Sequence, residues 1–396
     1  METKKYKLSE ISLNVTDGEH GTVKDDNNGN YFLLSCKNIK NGLINITSSE
    51  RKINEESFYK IQKRIKLEKN DVLITTVGTI GEMSIIEDES INYCFQRSVG
   101  IIKPNKEFVN PYFLYYSLRN ELGQIATLIK GAVQKCLFIN DMKMIEVSLP
   151  DLKIQNKIVK VLQNIDKKIK LNNEINNNLH DLAEQQFNEI YLKGSPKKLG
   201  ELLVNISTGS RPKGGAQDCG VPSIGAEKIE KFGVYNYSSE KYISEEYYEK
   251  LKNGKLNSGD VLLYKDGAYT GKVSMCLNDF PHKKAAVNEH VFILNTKNNW
   301  AQNYLYFTLY NKDNKEMIHR LACSKAAQPG LNQIELKSVE VNICDEKKII
   351  NFENSVKPIM EKISSNTLEN KKLVELRDTL LPKLMNGEID LDNIEI

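Results

Sequence analysis

A few stretches of this chain place reactive side chains at suggestive spacings, and each lacks a part that the reaction would need. Gly267-Ala268-Tyr269-Thr270-Gly271-Lys272 is similar to a phosphate-binding loop. The loop is one residue short, and Val273 stands where a Ser or Thr would have to reach magnesium. The matching segment in the other half of the chain, residues 78–82, has no Lys. Asn110-Pro111-Tyr112-Phe113 is faintly similar to the Asn-Pro-Pro-Tyr/Phe loop of adenine methyltransferases. The second Pro is missing, and no glycine-rich loop suited to S-adenosylmethionine precedes it. An Asn followed by Pro reads better as a helix start, with a capping side chain and a pre-set first residue. His20, His180, His282, His290 and His319 show no metal-ligand spacing. No nucleophile, base and orienter stand in a defensible set. The expectation is a non-catalytic chain with no cofactor and no metal.

The remaining chemistry is that of hydrogen-bond donors in turn-rich loops. Arg and Lys suit guanine edges, and Asn and Gln suit adenine. Lys, Arg, Ser, Thr and backbone amides suit phosphates. Candidates in the first half of the chain are His20, Thr22, Lys24, Lys37, Asn38, Thr79, Arg97, Gln134 and Lys135. Those in the second half are Ser210, Arg211, Lys213, Lys265, Tyr269, Lys283, Lys284, Lys325 and Gln328. The chain carries 55 Lys and Arg against 52 Asp and Glu, a net charge of +3. Phosphate neutralisation drives non-specific affinity, so near-neutrality implies that any DNA contact is local or that partners share the electrostatic work.

The elements that position these side chains are duplicated. Lys7-Leu8-Ser9-Glu10 recurs as Lys198-Leu199-Gly200-Glu201, 191 residues on. Asp71-Val72-Leu73 recurs as Asp260-Val261-Leu262. Gln96-Arg97-Ser98-Val99 aligns with Asn288-Glu289-His290-Val291, and Tyr112-Phe113-Leu114-Tyr115 with Tyr304-Leu305-Tyr306-Phe307. Gln134 aligns with Gln328, and Leu137 with Leu331. So long a period means two copies of a whole domain rather than a solenoid. Each copy reads as short strands among Gly, Asn and Asp turns, followed by an aromatic helix. Residues shared by both copies serve the fold as readily as binding. Those that differ, Arg211 and Lys213 against His20 and Gly21, are expected to discriminate between two targets.

Behind each copy runs a long helical ladder. The first is Ile158, Leu162, Ile165, Ile169, Asn172, Asn176, Leu179, Ala183, Gln186 and Ile190. The second, at a constant offset of 194, is Phe352, Val356, Ile359, Ile363, Asn366, Asn370, Leu373, Arg377, Leu380 and Leu384. Alternating steps of four and three make a heptad seam, and a polar step inside such a seam costs stability but fixes register. Antiparallel pairing would set Asn172 and Asn176 near Asn366 and Asn370. Each helix would be roughly 60 Å long at 1.5 Å per residue. Pro358 would start or bend the second helix, because an interior Pro removes a hydrogen bond.

The 396 residues suit two domains plus accessory elements. Seven unpaired-looking Cys imply a reducing compartment. Residues 1–10 are polar with no apolar signal core, and no run spans a bilayer, so a cytoplasmic protein is expected.

Two motifs carry a family resemblance. Leu149-Pro150-Asp151-Leu152-Lys153-Ile154-Gln155-Asn156-Lys157-Ile158-Val159 resembles the L-P-x-x-x-Q-x-x-I-V helix start of type I restriction-modification specificity subunits. Residues 376–389, LRDTLLPKLMNGEI, resemble their L-R-x-x-L-L-P-x-L-x-x-G-x-I ending. The first motif has Gln155-Asn156 where Glu-Gln is commoner, and residues 345–347 lack a preceding Pro. The resemblance implies an α+β chain: a target-recognition domain at 1–150, a spacer helix at 151–194, a second recognition domain at 195–344 and a second spacer helix at 345–396. The two pseudo-symmetric mixed domains would be separated by an antiparallel coiled coil. Each domain would read half of a bipartite double-stranded DNA site. The helices would set the spacing and dock two methyltransferase subunits, with motor and nuclease subunits joining the full complex. A specificity subunit of a related methyltransferase-nuclease system without a separate motor, a part of a fused enzyme, and a coiled-coil protein adaptor are the rival readings.

Overall fold

The computed structural model describes residues 2–132, 134–267, 269–324 and 330–389. It divides into two compact units, one of residues 1–166 with 375–396 and one of residues 167–374. Two helices of 40 residues each, Leu152–Tyr191 (the central helix) and Glu346–Met385 (the closing helix), contribute to both.

In the first unit, four antiparallel strands lie in the order Ser12–Asp17, Val99–Pro104, Val72–Thr75, Met83–Ile85. The two inner strands are buried on both faces, and the two-residue period of a strand sends alternate side chains to different layers. Val72, Ile74 and Ile102 pack with the helix Pro111–Asn120 and the central helix. Leu73, Val99 and Ile101 pack with Leu34, Tyr93 and Phe95 of a second, smaller sheet. That sheet orders Lys52–Ile53, Tyr31–Leu34 and Tyr93–Phe95, the last pair being parallel. The helix Pro111–Asn120 begins as its residues dictate. Asn110 accepts from Tyr112 N and Phe113 N, and Pro111 occupies the first turn.

The second unit repeats this arrangement. Its four-stranded sheet orders Leu203–Thr208, Val291–Thr296, Val261–Tyr264 and Val273–Met275. Its three-stranded sheet orders Tyr242–Ile243, Val221–Ile224 and Ala286–Val287, again with one parallel pair. Val261 and Leu263 join one core and Leu262 the other. The corresponding helix, Gln302–Tyr310, starts after Ala301, which has no capping side chain. Glu353 of the closing helix replaces the cap by accepting from Tyr304 N at 2.8 Å and from Asn303 Nδ2 at 2.7 Å.

The long helices pair antiparallel in each unit. In the first, Ile158, Leu162, Leu381, Leu384 and Met385 share one core. Arg377 stands on the seam there, where Asp166 accepts from its guanidinium at 2.8 Å and from Tyr116 Oη at 2.6 Å. In the second unit the seam carries the four asparagines. Asn172 Nδ2 donates to Asn370 Oδ1 at 2.8 Å, and Asn366 Nδ2 to Asn176 Oδ1 at 2.9 Å. Asn176 Nδ2 also donates to Thr367 Oγ1 at 3.1 Å. The closing helix does not start or break at Pro358 as the sequence suggested. It runs through that residue, whose ring is exposed. The carbonyl that Pro358 leaves unpaired belongs to Asn354, also exposed, where water can serve it. No helix of the described residues is long and apolar enough to cross a membrane.

Candidate nucleic-acid interface

Strand register determines where the loops emerge. In the first unit Gly100 pairs with Asp17 and Val99 with Thr75, so three strands begin or finish at one end of the sheet. Residues 18–24, 76–82 and 96–98 leave from that end. Backbone bonds tie them together: Gly18 N to Val99 O, Arg97 N to Glu19 O and Thr76 N to Ser98 O. Cys136 and Leu137 join them, with Leu137 N donating to Thr76 O and Val77 bridging Cys136. Cys36 N donates to Ser98 Oγ at 3.0 Å and brings in the turn that carries Lys37.

This rim gathers His20, Thr22, Lys24, Thr79, Arg97, Gln134 and Lys135, all exposed. His20 Nε2 lies 2.7 Å from Asp17 Oδ2. Lys37 is exposed and reaches Glu50 at 3.0 Å. Asn38 departs from the expectation. It is 1% exposed, accepts from Ser35 N and donates to Asn45 O, so its amide holds a turn and is withdrawn from any base edge. Sequence reasoning missed Arg64, which donates to Gly18 O at 2.7 Å and lies 3.4 Å from Glu19. Glu19 accepts from Gly21 N, which holds its carboxyl below the ordinary range against the effect of burial, with help from Arg64. No sequence signal links Arg64 to residues so far from it in the chain.

The second unit builds the same rim from different side chains. Phe292 pairs with Thr208 and Val291 with Tyr264, so residues 209–215, 265–267 and 288–290 emerge together. Lys265 N donates to His290 O, and Leu331 N to Lys265 O. Arg211 is exposed and meets Glu289 at 2.9 Å. Glu289 lies 3.4 Å from His290 Nε2, whose other nitrogen is 3.1 Å from Asp266. Lys265 pairs with Asp266 at 2.7 Å and is mostly buried. Ser210 Oγ is 2.8 Å from Tyr247 Oη, and Lys213 is exposed. Tyr269 is 65% exposed, with the Lys272 ammonium 4.9 Å from its ring centre. Gly271 N donates to Tyr264 O across the turn between the strands Val261–Tyr264 and Val273–Met275. Lys284 is tied elsewhere, to Glu245 and Glu249 of the helix Glu245–Lys250, and Lys283 is exposed beside it. Lys325 and Gln328 lie outside the described residues.

A glycine opens each rim because nothing larger fits. A Cβ on Gly18 would sit 2.2 Å from Phe95 O, and one on Gly209 would sit 1.6 Å from Val287 O. The two glycines are 191 residues apart, as the repeat requires. The repeat therefore carries this signal in the sequence, at the matched pair Gly18 and Gly209.

The rims can offer donors to a polyanion and to base edges. Their carboxylates, Asp17 and Glu19 in one and Asp266 and Glu289 in the other, hold the basic groups in place.

Comparison with known proteins bears on the same residues. A model of the type I restriction modification DNA specificity domain matches residues 8–181. The type I restriction enzyme HindI specificity subunit of Haemophilus influenzae is 22% identical over 406 aligned residues, covering 83% of this chain and 88% of that subunit. The MjaIX specificity subunit of Methanocaldococcus jannaschii is 23% identical over 399 aligned residues, covering 94% and 90%. The crystal structure of the type I restriction-modification S subunit from M. genitalium superposes with a TM-score of 0.56 at 16% identity, over 97% of this chain and 96% of that one. That last likeness is one of fold.

Proposed function

We propose that the chain is a type I restriction-modification specificity subunit, a reading supported by the matched specificity-domain model and by relatives that follow it over most of its length, and that each of its two units reads one half of a bipartite DNA site. A subunit of this kind gives DNA sequence specificity to a complex of restriction-modification subunits. The observation that carries the two-reader proposal is the pair of rims. Each is built at the corresponding end of its own unit's four-stranded sheet, yet the two present different donors. A shared scaffold with unlike side chains suits an asymmetric target.

In this reading Arg211, Lys213, Ser210 and Tyr269 face one half-site, and His20, Thr22, Lys24, Thr79, Arg97, Gln134 and Lys135 face the other. Lys37 supplies phosphate contact. Lys265, held by Asp266, positions the rim. The paired helices set the gap between half-sites, because each helix supplies core residues to both units. Major-groove faces recur about every 34 Å along a duplex, so helix length is matched to the unread spacer. The same helices would dock two methyltransferase subunits. Those partners supply the adenine chemistry, which requires the base to leave the stack, and motor and nuclease subunits complete the assembly.

The test is purification of the chain with and without a methyltransferase subunit. Sequence-dependent methylation by the complex alone supports the proposal. Methylation by the isolated chain, or no DNA affinity in either preparation, rejects it.

A further inference from the structure

The central helix holds a group of side chains that DNA reading does not use. His180 is 1% exposed, and its Nδ1 has no hydrogen-bond partner among the described residues. Glu184, one turn on, places Oε2 at 3.8 Å from that nitrogen. This is too long for a hydrogen bond. Asp181 completes the group, and one ligand atom from each of the three lies within 4.8 Å of the others.

We propose that His180 Nδ1, Asp181 and Glu184 form a binding site for a divalent transition-metal ion, zinc being the best match to one nitrogen and two carboxylate oxygens. Two geometric features support it, beside the unpartnered buried nitrogen. Residues four apart on a helix share a face, so His180 and Glu184 converge without any loop. The far nitrogen of His180, Nε2, lies 2.9 Å from Tyr306 Oη, and rings of Phe307 and Tyr310 flank the imidazole. Metal-bound histidines are oriented through such a partner on the other nitrogen. Lys231 opposes a cation there, but its ammonium is held by Asn177 Oδ1 at 2.9 Å. Zinc commonly takes three protein ligands and a water, and the partial exposure of Asp181 and Glu184 leaves the fourth position to solvent.

The site fastens the central helix to the core of the second unit, since Tyr306 and Phe307 belong to that core. Zinc would then stabilise the chain by mass action, through binding the folded state.

Tag-free full-length protein is titrated with zinc chloride, and with cobalt(II) for its visible absorption. The expected result is one zinc per chain, a raised melting temperature and cobalt bands of low-coordinate nitrogen and oxygen ligation. Glu184→Gln and Asp181→Asn, on a partly exposed and an exposed carboxylate, should each remove the melting shift while leaving the circular dichroism of the metal-free chain unchanged. Cys323→Ser should leave binding intact, although the exposed Cys323 Sγ lies 3.6 Å from His319. Absence of stoichiometric zinc, equal binding by the carboxylate variants, or loss of binding in Cys323→Ser would each overturn the proposal.

Discussion

Arg211 Nη2 lies 2.9 Å from Glu289 Oε1, while the positions that correspond to this pair in the first unit hold His20 and Arg97. One rim thus pairs a guanidinium with a carboxylate where the other places two potential cations. Both partners of the Arg211 pair are at least one-third exposed, so it contributes about 0–1 kcal/mol to folding. Its effect is orientation of a planar donor fork. Arg211→Ala is expected to relax one half of the methylated motif and leave the other intact, as read by single-molecule methylome sequencing. Equal relaxation of both halves would show that one unit does not serve one half-site.

Gly209 tests the rim as a built object. Its missing Cβ leaves room for Val287 O, which would otherwise lie 1.6 Å away. Gly209→Ala must displace either the loop or the strand behind it, at a cost of roughly 1–3 kcal/mol. The expected outcome is loss of recognition at the half-site read by the second unit, with a lowered denaturation midpoint. Wild-type recognition would mean that this backbone contact does not position the loop.

The asparagine step can be separated into stability and register. Asn172→Ala removes the donor to Asn370 Oδ1 and leaves a buried polar group short of a partner, a loss of about 1–3 kcal/mol. Replacing both Asn172 and Asn370 with Leu restores apolar packing and should recover much of that stability. It also removes the polar match that distinguishes one alignment of the helices from a slipped one. Urea melts measure the first effect, and a broadened or shifted methylation motif measures the second.

Glu353 makes stability pH-dependent. Burial raises its carboxyl from the ordinary 4.5 to about 7, against the downward pull of Tyr304 N–H and Asn303. A folded pKa above the unfolded one favours the protonated form. That contribution is complete below about pH 4.5 and is lost as pH rises through about 7. The loss amounts to roughly 3 kcal/mol. Glu353→Gln should therefore show a flatter stability profile than the parent between pH 5 and pH 8, checked by chemical denaturation across that range. Parallel profiles would refute the assignment.

The duplication and both heptad seams were legible because apolar spacing is a local property of the chain. The two-core arrangement of each unit follows from alternation along strands such as Val72–Thr75, but only once pairing is known. Asn38 shows where reading by residue type failed. An Asn in a polar turn suits a base edge equally well on paper, and only the three-dimensional closure by Ser35 and Asn45 shows that its amide is committed. Arg64 failed in the opposite direction, because its neighbours Gly18 and Glu19 arrive through tertiary folding. The closing helix passes Pro358 because the cost of that residue falls on a solvent-facing carbonyl, a matter of helix phase that the Pro alone does not disclose.

The first unit draws Leu381, Leu384 and Met385 into the core that holds Leu8, Ile11 and Phe113. During synthesis, that core stays unfinished until the ribosome has made the whole of the second unit. A premature stop codon before residue 375 would consequently cripple the domain translated earliest, and such a product should be recognised by quality-control proteases through its amino-terminal half.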